Sequence, residues 1–374
     1  MESEGFNMHL KLMIPGPIEL ENEVLDQMGA PVQAHYGAEW VPVHNETIDL
    51  LQQVFGTTGK VFMLPGSGSL ALDAVIHSTF APGDRIAVGM NGFFGTRLQE
   101  VLAANGIDTV KVEASPGDLL DPKVFEKVLA NDPTIRGVAA VHLETSTAVL
   151  NPVRAIAEVA RAHNSLMMAD AVSSLGGTPL NMDEWGIDLC VSASQKGLGG
   201  AAGLGIAAVG PRAWTTIEQN AAHARSWYLD LRRWQWYVEN WGDWHPFPIT
   251  MPTVIVLGLR CALRSLLGAG LDHRLARYEI LARRLRDGLA DLDMALFVPE
   301  DRMAPVLTAA YCPPGVSSGD VIRYLEQEHH IKITAGFGEF KERVIRIGHM
   351  GGAITEQDID DLLAALRAYL QDKR

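Results

Sequence analysis

Cysteine is scarce in this chain. Cys190, Cys261 and Cys312 are the three among 374 residues, and none stands in a Cys-x-x-Cys or Cys/His spacing. That excludes a zinc site built on paired thiolates, and the odd count fits a disulfide framework poorly. Positive charge is also in deficit, with a net charge of −14 at pH 7. An acidic protein is not drawn to nucleic acid or to anionic membrane surfaces at long range. There is no apolar run of about 18 residues that reads as a membrane span, no internal repeat and no low-complexity linker. The start, Met1-Glu2-Ser3-Glu4-Gly5, is acidic where a secretory signal is basic. These absences leave small-molecule chemistry in a reducing cytoplasm as the expectation.

What is present is a strand-and-helix alternation around two polar residues. Leu166-Met167-Met168-Ala169 is an apolar burst that ends in Asp170, and Ile187 to Ser194 is a second that leads to Gln195-Lys196-Gly197. Both read as buried strands of a parallel sheet, whose C-terminal ends carry the chemistry of α/β proteins. A carboxylate at one strand end and a lysine at the next suit pyridoxal phosphate. The lysine forms a Schiff base with the aldehyde, and the carboxylate keeps the pyridine nitrogen protonated so that the ring accepts electrons.

The segment Met168 to Leu180, then Asp183 to Asp188 and Ser194-Gln195-Lys196, resembles the class V aminotransferases of fold type I. Within them the chain is most similar to the alanine-glyoxylate, serine-glyoxylate and pyridoxamine-pyruvate aminotransferase branch. The resemblance runs from Pro15-Gly16-Pro17 to Arg346-Ile347-Gly348. It implies an α/β fold: a large domain with a mixed, mainly parallel seven-stranded sheet, and a smaller C-terminal α+β domain. The length accommodates both. The expected division is an extended segment over 1–20, a cofactor domain over 21–252 and the small domain over 253–374.

Further residues follow in chain order. His35-Tyr36-Gly37 matches a short family motif, with Tyr36 a candidate substrate contact. Val61 to Leu64 reads as a strand that turns through Pro65-Gly66-Ser67-Gly68-Ser69 into the helix Leu70 to Ile76. Bare N–H groups, two hydroxyls and a helix dipole at Ser67, Gly68 and Ser69 suit a phosphate dianion. After the strand Arg85 to Gly89, the resemblance aligns Phe94 with the aromatic that stacks on the cofactor ring, Phe93 being the alternative. Val138 to Leu143 reads as a strand ending in Glu144-Thr145-Ser146-Thr147, and Ser146 matches a position whose hydroxyl contacts the ring. The resemblance also implies Val172 and Gln195 as cofactor contacts. Gly203-x-Gly205-x-x-Ala208 imitates a dinucleotide fingerprint but leads into an apolar strand instead of opening a helix, so it is set aside.

Trp227, Trp234, Trp236, Trp241 and Trp244 crowd one region and read as core and subunit interface. The Thr-x-Pro context of Thr250 matches a family position that reaches the partner's cofactor phosphate across a homodimer. Phe247 stands where some relatives carry a phenol. Beyond Thr253 the sequence turns helix-rich. Arg346, flanked by Ile345 and Ile347, faces away from them in a strand, and its family counterpart forks onto the substrate α-carboxylate. It is the single arginine that the sequence assigns to the pocket. The expected activity is transfer of an amino group from a small α-amino acid, such as alanine or serine, to glyoxylate or pyruvate. The alternatives are a pyridoxamine-pyruvate type enzyme, or a lyase or desulfurase on the same scaffold. The last needs a mobile cysteine, and Cys312 has no evident connection to that role.

Overall fold

The computed structural model describes residues 9–223 and 225–372. The acidic start Met1 to Gly5 and the rest of the first eight residues lie outside them. Seven strands form the main sheet: β1 (Lys60–Pro65), β2 (Arg85–Met90), β3 (Asp108–Glu113), β4 (Ile135–Val141), β5 (Leu166–Asp170), β6 (Leu189–Ala193) and β7 (Leu204–Val209). Their order across the sheet is β1-β7-β6-β5-β4-β2-β3. Only β7 runs against its neighbours; the other pairs are parallel. Strands β5, β6 and β7 are buried at every residue, because helices cover both faces. That is why they read as unbroken apolar bursts instead of alternating ones.

Strand β4 ends at Val141, two residues before its expected end. The chain then breaks into a hairpin in which Leu143-Glu144 pairs with Val149-Leu150. The buried Asn151 side chain makes this turn rigid. Its Nδ2 donates to the Val141 carbonyl at 2.9 Å and to Asn91, while its Oδ1 accepts from Asn91 and from the Leu120 N–H. All four capacities of the amide are used, as a buried polar group requires.

A second sheet contains β8 (Leu307–Tyr311), β9 (Thr334–Ala335) and β10 (Val344–Gly348), antiparallel in the order β8-β10-β9. Ile345 and Ile347 of β10 enter a core with Leu281, Leu285 and Leu362. The core packing changes over later than the composition suggests. Helix Thr253–Gly268 opens the helix-rich stretch, yet Val256, Leu259, Leu263 and Leu266 pack into the larger core. Gly258 makes this possible, since a side chain there would strike Met28 of helix Asn22–Met28. The extended entry segment crosses between the two units. Lys11-Leu12 pairs with Ile331-Lys332, Met13 enters the second core, and the Ile18 N–H donates to the Gln195 carbonyl at 3.2 Å. Among the described residues no single helix is long and apolar enough to cross a membrane.

Candidate active site

Asp170 is the last residue of β5, and Lys196 follows β6 by three residues. The lysine-bearing loop is closed by Ser194, whose hydroxyl donates to the Ala201 carbonyl at 2.5 Å and accepts the Leu204 N–H. Lys196 Nζ donates to the Pro15 carbonyl at 2.5 Å. Gly16, at φ +122°, lies so close that a Cβ there would come within 2.4 Å of Nζ. A glycine is therefore needed twice over, for its backbone angle and for the space it leaves to the lysine.

Burial lowers the Lys196 amine to about 8; the Arg346 guanidinium and, less strongly, Arg97 push the same way, while Asp170 opposes them. Burial raises the Asp170 carboxyl to about 6, with Glu144 adding to the rise. The Val172 N–H, which donates to Asp170 Oδ1 at 3.0 Å, pulls the other way, as do Arg97 and Lys196. A carboxyl and an amine displaced toward each other's range in one cleft make a functional-site signature.

Both residues line a cavity of about 300 Å³. On one side helix Gly68–Thr79 begins, and its capping residue Ser67 makes no side-chain bond to the helix end. The first N–H groups are left open beside the Ser67 and Ser69 hydroxyls, which is the chemistry of an anion site. At Gly68 a Cβ would meet Val172 Cγ2 at 2.7 Å, so the bare backbone lets the helix end approach the segment that follows β5. Gln195 lines the same cavity, and its Oε1 is buried without a partner among the described residues. The bare helix end, the orphaned amide oxygen and the Asp170–Lys196 pair fit a phosphorylated pyridine aldehyde.

The opposite wall is Phe94. It is held by Glu144, which sequence reasoning missed. The fully buried Glu144 carboxylate accepts the N–H groups of Phe94 at 3.0 Å and Gly95 at 2.9 Å, so it anchors the start of helix Phe93–Ala104. The signal was available, since Glu144 ends an apolar run just as Asp170 does. Ser146 takes part in the same cluster. Its hydroxyl donates to Glu144 at 2.5 Å and accepts the Phe93 N–H at 3.1 Å. It lines an outer groove, and Thr145 faces the Lys196 cavity instead.

The expectation of a single pocket arginine needs correction. Arg97 lines the cavity, with its Cζ 5.0 Å from the centre of the Phe94 ring, whereas Arg346 lies behind the lining residue Thr145. It lies on the helix that Glu144 caps, one turn beyond Phe94, a proximity that helical spacing could have revealed. Arg346 faces away from Ile345 and Ile347 as expected. Its Nε donates to the Ala335 carbonyl at 2.8 Å and its Nη1 to the Thr145 carbonyl at 2.7 Å. These bonds fix the guanidinium plane behind Thr145. Burial lowers its pKa to about 10, with Glu144 opposing.

Other candidates stand apart. Tyr36 is exposed and packs on His35 and Trp244, and Thr250 is exposed; neither lines the cavity. Phe247 is buried between His35, His44 and His245. Trp234 is buried, but Trp227, Trp236, Trp241 and Trp244 are between 41% and 51% exposed, which leaves an aromatic surface uncovered in a single copy. Cys312 lies at the edge of the second core, its thiol raised to about 11 by burial.

The family description Aminotransferase class-V matches residues 19–362. An uncharacterized aminotransferase of Methanocaldococcus jannaschii is 32% identical over 361 residues, covering 96% of this chain and 92% of that one. Among solved structures, the alanine-glyoxylate aminotransferase of a Nostoc species superposes with a TM-score of 0.93 at 30% identity, covering 99% of this chain and 98% of that one. The pyridoxamine-pyruvate aminotransferase of Mesorhizobium loti does so at 0.91 and 25% identity, with 98% and 93% covered.

Proposed function

The chain belongs to the class V aminotransferases, and from that premise we propose that it transfers the amino group of a small α-amino acid such as alanine or serine to glyoxylate or pyruvate. The observation that carries this reading is the meeting of Lys196, Asp170 and an uncapped helix end in one small cavity. The family implies pyridoxal phosphate, which when bound supplies an aldehyde to take up the amino group and a ring to accept the electron pair left at the donor's α-carbon. Lys196 would hold that aldehyde, and its free amine would take the proton from the donor's α-carbon as a general base. Asp170 keeps the ring nitrogen protonated, and Val172 orients that carboxylate through its N–H. Ser67, Gly68 and Ser69 would hold the phosphate, Phe94 would pack on the ring, and Gln195 would offer its unpaired oxygen. A screen of amino donors against glyoxylate and pyruvate tests the proposal directly. Absence of transfer from every small α-amino acid overturns it.

Arg346 takes the donor's α-carboxylate. Its plane is held by two backbone carbonyls, and a bidentate contact shielded from water is worth roughly 2 to 4 kcal/mol. Arg346→Ala should therefore lower kcat/KM for alanine by about two to three orders of magnitude, while the visible absorption of the bound cofactor is retained. Unchanged transfer from alanine would remove the carboxylate contact from Arg346.

The lowered Lys196 pKa has a sign that can be checked. Only the neutral amine attacks an aldehyde, and burial makes it available from about pH 8 upward. The cofactor-free protein should combine with pyridoxal phosphate at a rate that rises with a midpoint near 8. A midpoint near the ordinary lysine value of 10.5 is the contrary result.

Thr250 and Tyr36 acquire roles in a homodimer, Thr250 at the partner's phosphate and Tyr36 at a substrate. Their exposure beside uncovered tryptophans supports that reading. Sedimentation at assay concentration should give a dimer, and a fully active monomer would contradict shared sites.

A further inference from the structure

Two phenyl rings join the arginines of the site. Arg346 Cζ lies 4.5 Å from the centre of the Phe337 ring. Phe337 stacks on Phe93 with ring centres 4.7 Å apart and planes 20° apart, and Arg97 Cζ lies 4.9 Å from the Phe93 ring. Phe337 belongs to the connection between β9 and β10, whereas Phe93 opens a helix of the larger unit. The stack therefore bridges the two units beside the donor's carboxylate site. Cations on both ends hold the rings in place, since each guanidinium is drawn to a ring face.

The pair lies on the groove side of Phe94, which stands between it and the cavity. Phe94, edge-on to Phe93 with centres 5.3 Å apart, lines the 300 Å³ cavity with Lys196. Phe93 and Phe337 line an outer groove of about 1030 Å³, with Met90, Leu119 and Phe340 as further apolar lining. The charged residues of that groove are Glu113, Asp118 and Glu339, together with an Arg302 already paired to Asp118 at 3.2 Å.

Resting on the function proposed above, we infer that the Phe93–Phe337 stack is the specificity wall of the enzyme, limiting the donor to a short side chain. A donor held by Arg346 has Phe337 over one face of the same guanidinium, so a side chain that extends past its β-carbon meets the phenyl pair. Removing a ring opens the cavity to the groove. The groove favours unbranched apolar side chains and, by its carboxylates, repels those of aspartate and glutamate.

The test is made on the cofactor-loaded enzyme with alanine, 2-aminobutyrate, 2-aminohexanoate and glutamate as donors. Phe337→Ala and, separately, Phe93→Ala should raise the kcat/KM ratio of 2-aminohexanoate to alanine by about tenfold to a hundredfold, as expected when a pocket gains room for several methylenes. The ratio for glutamate should not rise. Phe337→Leu, which keeps bulk and folds more safely, should fall between. A second readout needs no turnover: dissociation constants of acetate, butyrate and hexanoate, followed through the absorption of the bound cofactor, should favour the long acids only in the variants. An unchanged ratio in folded variants, or a wild type that already accepts 2-aminohexanoate as well as alanine, overturns the wall. If the wild type transfers from no donor, the proposed function fails instead, and the carboxylate series still reports on the wall.

Discussion

Replacing Lys196 by alanine is expected to abolish turnover, with a loss of at least about four orders of magnitude in kcat. General acid-base transfer alone accounts for roughly two to four orders, and the lost covalent hold on the aldehyde adds to it. The residue's setting suits the proposed task. Its amine is buried, donates to the Pro15 carbonyl and shares a small cavity with Asp170. Lys196→Arg separates chemistry from packing, because it keeps bulk and charge beneath Pro15 and Gly16 but supplies no neutral amine. Both variants should bind pyridoxal phosphate reversibly and release it on dialysis, with the free-aldehyde absorption in place of that of the tethered group. Retention of even a hundredth of the wild-type rate in either variant assigns the lysine's role to another group.

Asp170→Asn should keep the cofactor in place and lower kcat by several orders of magnitude, because an amide cannot hold a proton on the ring nitrogen by its charge. Near-normal rates would give that role to another carboxylate. The same variant has a second consequence in the cofactor-free protein. Burial raises the folded carboxyl to about 6, above its unfolded value of 3.8. Between those values the folded protein keeps a proton that the unfolded chain has lost. Unfolding therefore releases a proton, and stability falls as pH rises from about 4 to about 6. The cost is on the order of 3 kcal/mol at neutral pH. Asp170→Asn removes that titration, so its cofactor-free form should melt higher than the parent at pH 7 and converge with it near pH 4. A parent whose melting temperature is flat over that interval would show that the carboxylate is not strained by burial.

Asp170 was legible because it ends an apolar run at a strand end, and Lys196 because it follows the next buried strand by three residues in a small, polar setting, where a buried charge is costly without a partner or a task. Helix starts were legible where small polar residues precede periodic apolar ones, as at Ser67 to Ser69. The hairpin at residues 143–150 was not, because its cause is Asn151 pairing with Asn91 and Leu120, contacts between positions far apart in the chain. Nor was the allegiance of helix Thr253–Gly268. Its composition announces an apolar face, but only the fold tells which core receives it. Arg97 and Phe337 escaped notice for a related reason. Phe337 looks ordinary among its chain neighbours and gains meaning from a ring and a guanidinium brought to it by other elements, while Arg97 gains its place from the cavity that β5 and the Lys196 loop bring to its helix.

The entry segment also bears on how the protein is made. Residues 11–18 leave a ribosome well before the elements they join, since Lys11 pairs with Ile331, the Gly348 N–H donates to the Met13 carbonyl, and Pro15 meets Lys196. A growing chain that has just finished the seven-stranded sheet already owns the lysine and the aspartate but lacks the strand partners of the entry segment that holds Pro15 and Gly16 against the lysine. Such distant pairings form late. The nascent lysine thus stays unclamped, and more exposed to stray aldehydes, until translation is nearly complete. An aldehyde taken up by Lys196 before then would sit without the Pro15 and Gly16 clamp, so a chain stalled before Ile331 should release pyridoxal phosphate faster than the finished polypeptide does.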